Sequence, residues 1–442
     1  MVGVQTGAGA ATGRATTNPV AVRLRREAST TPGRIRVFSV LVAGLLLLTG
    51  VATYGAVIRR TNGVKSVAAS EPLILDAQAL DTTLSQADAT AANAFLGGGL
   101  EPADERNLYQ QDIDRAGHLL ADAAARSGTG PDVQGPLQTL ASQLPVYTGL
   151  VDTARADNRQ GFPVGAAYLR QASRLMSGTI LPATQKLYTV HAGRLDSGNN
   201  RGRSVHDTAL VLFMLGLLVV AMAGVQLWLY RQTNRILNLP VLGATILVAV
   251  LLLVVVAQLK SEASQAAQAR DTSYASVNLL AQARIAAFKA KADESLTLIG
   301  RGNGSAFDDD FAVQARRIPP LLDQARHVAT PPEGVIVAAA TTALQRYLTV
   351  HADIRRFDTG GQFDRAVGLA VKGGTTSVAN AAFTSFDDQV SSALNAGQTD
   401  FGSHITAARR HLRGLTPTIP IVLLLGGALA LYGFQQRINE YR

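Results

Sequence analysis

Four apolar stretches, at 37–58, 208–230, 239–258 and 415–434, punctuate a chain that is otherwise polar and alanine-rich. Each is close to the ~20 residues that cross a ~30 Å hydrocarbon core as a helix, and none contains a charged residue. About 150 residues separate the first from the second, and about as many the third from the fourth. Only 231–238 lies between the second and the third. This spacing predicts four membrane helices and two large polar regions on one side of a bilayer.

Within the polar regions the apolar positions recur with helical period. Over 67–96, Val67, Leu73, Leu75, Leu80, Leu84, Ala91 and Phe95 lie mostly on one stripe, with Asp76, Asp81 and Asp88 off it. Gly97-Gly98-Gly99 ends that helix, Ser127–Pro131 the next, and 157–163 the third; the fourth runs into the second span. The second region repeats the plan, with breaks at Gly302-Asn303-Gly304, Thr330-Pro331-Pro332 and 358–362. Strand-like alternation is missing outside the spans. The expected fold is an all-α membrane protein with four transmembrane helices and two tandem extracytoplasmic four-helix bundles, 59–207 and 259–414.

Charge sets the orientation. The 1–36 tail, the 231–238 turn and the 435–442 end carry ten arginines against Glu27 and Glu440, a balance of +8 out of the +9 of the whole chain. The two large regions are close to neutral. The high pI is thus a topology signal and no argument for nucleic-acid binding. Short basic segments stay in the cytoplasm, so both termini are inside and both bundles outside the cell membrane. Reporters fused after Arg14 and at Arg442 are expected to be active only in the cytoplasm, and those at Gly98 and Asn303 only outside; one opposite result overturns the charge argument. The first stretch, 22 residues behind a long basic tail, reads as an uncleaved anchor, because a signal-peptide core is only 7–15 residues. The composition of the tail favours disorder. No cysteine is present, so there are no disulfides and no thiolate chemistry.

The two regions also match in residues. Tyr147, Arg155, Gly161 and Phe162 parallel Tyr347, Arg355, Gln362 and Phe363; Ser177-Gly178-Thr179 parallels Gly373-Gly374-Thr375; Tyr230, Arg235 and Ile236 parallel Tyr432, Arg437 and Ile438. We read a tandem duplication. The glycine sites, with Pro182, and Pro417 and Pro420 at the last span, are expected to kink their helices.

Enzymatic chemistry finds no support. The seven histidines make no i, i+4 ligand pair with a carboxylate partner, and Asp308-Asp309-Asp310 reads as the acidic first turn of a helix. With no predicted strands, no nucleotide-binding or nucleophile-elbow pattern has its context. Gln226 is the main polar residue within a span and reads as inter-helix glue, since a transport site brings ionisable or broken-helix features to mid-membrane. No catalytic residue, cofactor or metal is implied.

What remains is a device that senses or scaffolds outside and reports inside. In layout, over nearly its full length, the chain resembles the GlnX membrane proteins of actinobacteria. That resemblance implies a partner lipoprotein outside, the amino-acid-binding GlnH type, and a cytoplasmic Ser/Thr kinase of the PknG type, with this chain as the relay between them. A membrane scaffold and a direct small-ligand sensor, for which Arg155, Arg170 and Arg174 are candidates, are the alternatives. The turns after helices one and three lie at the far tip, where Arg159, Phe162 and Phe363 are expected to dock a partner. The cytoplasmic docking edge is expected to be Arg231, Arg235 and Arg437, which also meet anionic lipid.

Overall fold

Long runs of alanine, leucine and glutamine with little glycine or proline inside them make helix the favoured state of almost every segment. The computed structural model describes residues 31–99, 101–128, 130–202, 205–233 and 238–439; among these the regular structure is helical throughout, with no strand. The elements are α1 (Thr31–Leu96), α2 (Ala103–Arg126), α3 (Pro131–Arg159), α4 (Gly165–Leu175), α5 (Leu181–Gly202), α6 (Val205–Thr233), α7 (Leu239–Gln268), α8 (Ala275–Ile299), α9 (Ser305–Val328), α10 (Pro331–Thr359), α11 (Phe363–Val371) and α12 (Val378–Asn439). Four of these helices are long and apolar enough to cross a membrane, as the apolar stretches require.

Helix ends fall at the expected breakers. Asp104 and Glu105 occupy the first turn of α2, and Asp308 that of α9, where the helix dipole favours acid. Gly98 and Gly99 take positive φ after α1, and Gly302 does so after α8. The duplicated glycine sites break regularity in two different ways. Met176–Ile180 forms a π-turn between α4 and α5. In the second region Gly373 and Gly374 both take positive φ and lead through a 3₁₀ turn, Gly374–Thr376, into α12. Pro417 and Pro420 lie inside α12, which continues past them.

The chain divides into two compact units. An apolar unit takes the chain up to Ile58, Val205–Leu259 and the chain from Arg413; a polar unit takes Arg59–Ser204 and Lys260–Leu412. In the apolar unit Leu46, Leu215, Leu218, Val248, Leu251 and Leu423 are buried, while Val40, Leu47, Phe213, Leu253 and Leu424 are exposed, the distribution expected of helices facing hydrocarbon. Phe38 and Trp228 pack with ring centroids 4.8 Å apart. Gln226 does join helices: its Nε2 donates to the Asn238 carbonyl at 3.4 Å, and Asn238 Nδ2 donates to the Gly433 carbonyl at 2.8 Å. A Cβ at Gly433 would stand 2.7 Å from Asn238 Oδ1, so glycine permits this close approach.

In the polar unit, the 59–96 part of α1 packs with α2, α3 and α4–α5 around Leu84, Tyr147, Leu169, Met176 and Ile180. Helices α8, α9, α10 and the first part of α12 pack around Leu280, Phe288, Leu344, Tyr347 and Phe386. The two four-helix regions share residues: Ala89 of α1 belongs to the second core and Leu296 of α8 to the first. Helices α1 and α8 therefore run between the regions, each covered on two sides.

Candidate functional site

Double coverage of α1 corrects one expectation from its sequence. Asp81 and Asp88 were expected off the packed stripe, yet they are 4% and 7% exposed, and Gln78, Thr82, Ser85 and Asn93 are buried with them. The second region lies against the face that periodicity assigned to solvent. Only Asp76 stays at the rim, paired with Arg126 at 2.8 Å. On α8 the buried polar residues are Ser276, Lys291, Glu294, Ser295 and Thr297. The result is a seam of ionisable groups inside an alanine-rich core.

Its geometry is specific. Asp88 accepts hydrogen bonds from the Tyr147 hydroxyl at 3.2 Å and from Ser173 Oγ at 2.7 Å. Burial pushes Asp88 up to about 6 against the pull of those two bonds. Asp81 also rises to about 6 through burial, opposed by nearby Lys289. Asp293 climbs to about 8, first because it is buried and then because Asp310 and Asp88 repel its charge. Glu294 goes the other way. Burial alone would raise it, but Lys291 Nζ at 2.7 Å and His351 Nδ1 at 2.8 Å together hold it at about 2. The His351 ring in turn stacks on Phe311 with centroids 3.5 Å apart.

Two cavities open on this seam. One, of about 230 Å³, is walled by α1 and α8 with α2 and the start of α12, and includes Asn93, Glu105, Lys291 and Asn380. The other, of about 280 Å³, is walled by α1 and α8 with α5 and α9, and includes Asp81, Lys289, Gln314 and Arg317. Each thus uses both first helices, the second helix of one region and the fourth of the other. Exchanging the regions carries one set of walls into the other. Across the seam Gln78 Nε2 donates to Asn278 Oδ1 at 3.4 Å, and the Tyr188 hydroxyl donates to the same oxygen at 2.7 Å. Beside the first cavity, Asp104 Oδ2 accepts from the Thr375 amide at 3.0 Å and its hydroxyl at 2.6 Å. A side chain at Gly374 would meet that carboxylate.

The residues singled out for docking differ in how far they are exposed. Arg159 is exposed and Phe162 is 51% exposed in the turn between α3 and α4. Phe363 opens α11, packs with the Leu298–Ile354 cluster and lies under the Arg301 guanidinium, 5.0 Å away. It is a cap on its own region, whereas Phe162 is exposed. A third cavity, of about 590 Å³, lies beside Phe363 and Arg301. Arg155 is engaged, reaching Glu101 at 2.9 Å and stacking over the Tyr109 ring at 4.1 Å; Arg355 reaches Asp308 at 2.8 Å in the same position of the second region. Arg170 is half-buried and Arg174 exposed on α4. Arg231 is exposed, Arg437 half-buried, and Arg235 lies outside the described residues. Among the described residues no three His, Asp or Glu side chains come together as a metal site.

Residues 64–200 match the model of an actinobacterial sensor domain, which spans the first region from α1 into α5. No curated protein and no solved structure is similar to the chain by the same kind of comparison. The match, the helical fold and the four apolar helices support a membrane protein with a sensing or signalling role.

Proposed function

We propose that the chain is a transmembrane relay whose polar unit stands outside the cell and responds by repacking the seam between its two regions. The observation that carries this is the buried ionisable seam itself. Buried charges lock together less firmly than well-packed apolar side chains of equal volume, and a ligand or partner shifts such an equilibrium by its difference in affinity for the two arrangements. Both helices of the seam reach the apolar unit by continuous helix, α1 directly and α8 through the π-turn Ala269–Tyr274 to α7. The partners are those the GlnX resemblance implies: a GlnH-like amino-acid-binding lipoprotein outside, for which the exposed Phe162 and Arg159 offer a contact, and a PknG-like kinase inside, facing Arg231, Arg235 and Arg437. A tandem duplication gains support from the matched arginine–acid pairs, Arg155–Glu101 and Arg355–Asp308, and from the exchangeable cavity walls.

A cysteine-free chain makes the test clean. The Asp104→Cys, Thr375→Cys pair joins α2 to the turn before α12, where the native side chains meet at 2.6 Å. Oxidation is expected to abolish amino-acid-dependent kinase output, and reductant to restore it. Full output from the oxidised protein would leave a static scaffold as the better reading.

A further inference from the structure

The cavity beside Glu105 carries chemistry that the relay leaves unused. One side is apolar: Ala89, Leu108, Phe288 and Phe383 line it, the two rings meeting edge to face at 5.1 Å. The other side presents acceptors. Glu105 is 2% exposed. Its Oε1 accepts from Asn93 Nδ2 at 2.7 Å and from Asn380 Nδ2 at 3.4 Å, and it forms no ion pair among the described residues. Asn93 is itself buried, and its Oδ1 has no hydrogen-bond partner.

The other charges at the cavity are already neutralised. Lys291 gives its ammonium to Glu294 at 2.7 Å. Asp387 receives the Arg284 guanidinium, with Nη2 to Oδ2 at 2.8 Å. The cavity therefore holds one carboxylate that makes no ion pair, next to two phenyl rings, with the Lys291 ammonium held by Glu294 and acting on Glu105 only from a distance.

We propose that this cavity binds a small organic ammonium ion, its N–H groups received by Glu105 and its apolar body resting on Phe288 and Phe383. An unpaired carboxylate in such a chamber is costly, and a charge-assisted hydrogen bond is the strong way to satisfy it. Aromatic faces add attraction for a cation. A hard metal ion wants six to eight oxygens, which these walls do not offer. At about 30 Å³ per water the volume of about 230 Å³ has room for roughly seven waters, so the body is that of a short alkylamine. Burial first, against the Asn93 hydrogen bond and the Lys291 charge, puts Glu105 at about 7; an arriving cation favours the ionised form, so uptake near neutral pH releases a proton.

The inference does not rest on the relay, because it is tested on the full chain alone in detergent. Titration calorimetry with n-butylammonium chloride at pH 8 is expected to show saturable binding of one ion per chain. Tetramethylammonium, which has no N–H donor, is expected to bind at least about tenfold more weakly. Glu105→Gln is expected to cost a similar factor. Thr384→Trp, at an exposed rim position of the cavity, separates lost binding from lost packing: it blocks entry, leaves Glu105 in place, and is expected to abolish the heat at unchanged melting temperature. No saturable heat up to about 10 mM, equal heats from both cations, or binding undiminished in both variants would overturn the proposal.

Discussion

Exchanging Lys291 for methionine is expected to destabilise the polar unit by about 3–5 kcal/mol, the usual cost of stripping one partner from a buried ion pair. Lys291 is 4% exposed and its ammonium lies 2.7 Å from Glu294, which is 1% exposed. Methionine keeps most of the volume but strips the Glu294 carboxylate of its ammonium partner, leaving the bond from His351 at 2.8 Å. His351 cannot simply approach further, because its ring is already held against Phe311. The second variant decides the cause. Lys291→Met with Glu294→Gln removes both charges and is expected to recover more than half of the loss, since an amide can still accept from His351. Melting of the full chain followed by circular dichroism reads both. If the single variant lies within about 1 kcal/mol of the parent, a cost typical of an exposed pair, the pair is solvated and the seam is not the buried feature described above.

The helices were legible because each apolar stripe, each span and each glycine or proline break writes itself into the chain locally. The seam was less so. Period alone assigns one face of α1 to the core, and it cannot see that a segment some 200 residues later covers the other face. A signal was nevertheless present. Between Lys65 and Arg106 the sequence has no lysine or arginine, although a solvated helix face of that length normally carries some. Gln78, Asp81, Ser85 and Asp88 fall at helical spacing on a stripe of short polar side chains, which suits a tight polar interface better than open water. The docking aromatics show the converse limit. Phe162 and Phe363 sit at matching sequence positions, but Phe363 begins a helix that turns it onto Leu298 and Ile354, while Phe162 precedes one and stays outside. The glycine sites likewise match in sequence and diverge in form, one a π-turn and the other a break.

Stability of the polar unit is expected to fall as pH rises from about 5 to 8, against the habit of most globular proteins. Asp81 and Asp88 stand at about 6, Glu105 and Asp112 at about 7, and Asp293 at about 8, burial being the first cause in each. Their unfolded values lie near 4. Between those limits the folded chain holds protons that the unfolded chain has released, so this contribution is fully present below about 4 and is lost as pH climbs through the folded values. Glu294 works in the opposite sense, adding stability above its ordinary value and losing it only as pH falls toward about 2. The optimum is therefore expected near pH 4–5. Asp81 and Asp88, held about two pH units high, contribute about 3 kcal/mol each at most, and because Asp88 raises Asp293 by repulsion the groups do not add. A loss of about 2–4 kcal/mol between pH 5 and 8 is the expected net effect. Asp88→Asn is expected to flatten part of that slope, because the amide keeps partners for Tyr147 and Ser173 yet cannot ionise; at pH 8 it should match or exceed the parent in stability. Denaturant titrations of the full chain at both pH values measure this. A flat or rising stability from pH 5 to 8, or an Asp88→Asn slope equal to the parent's, would mean that the seam admits water and that its acids titrate as they do on a surface.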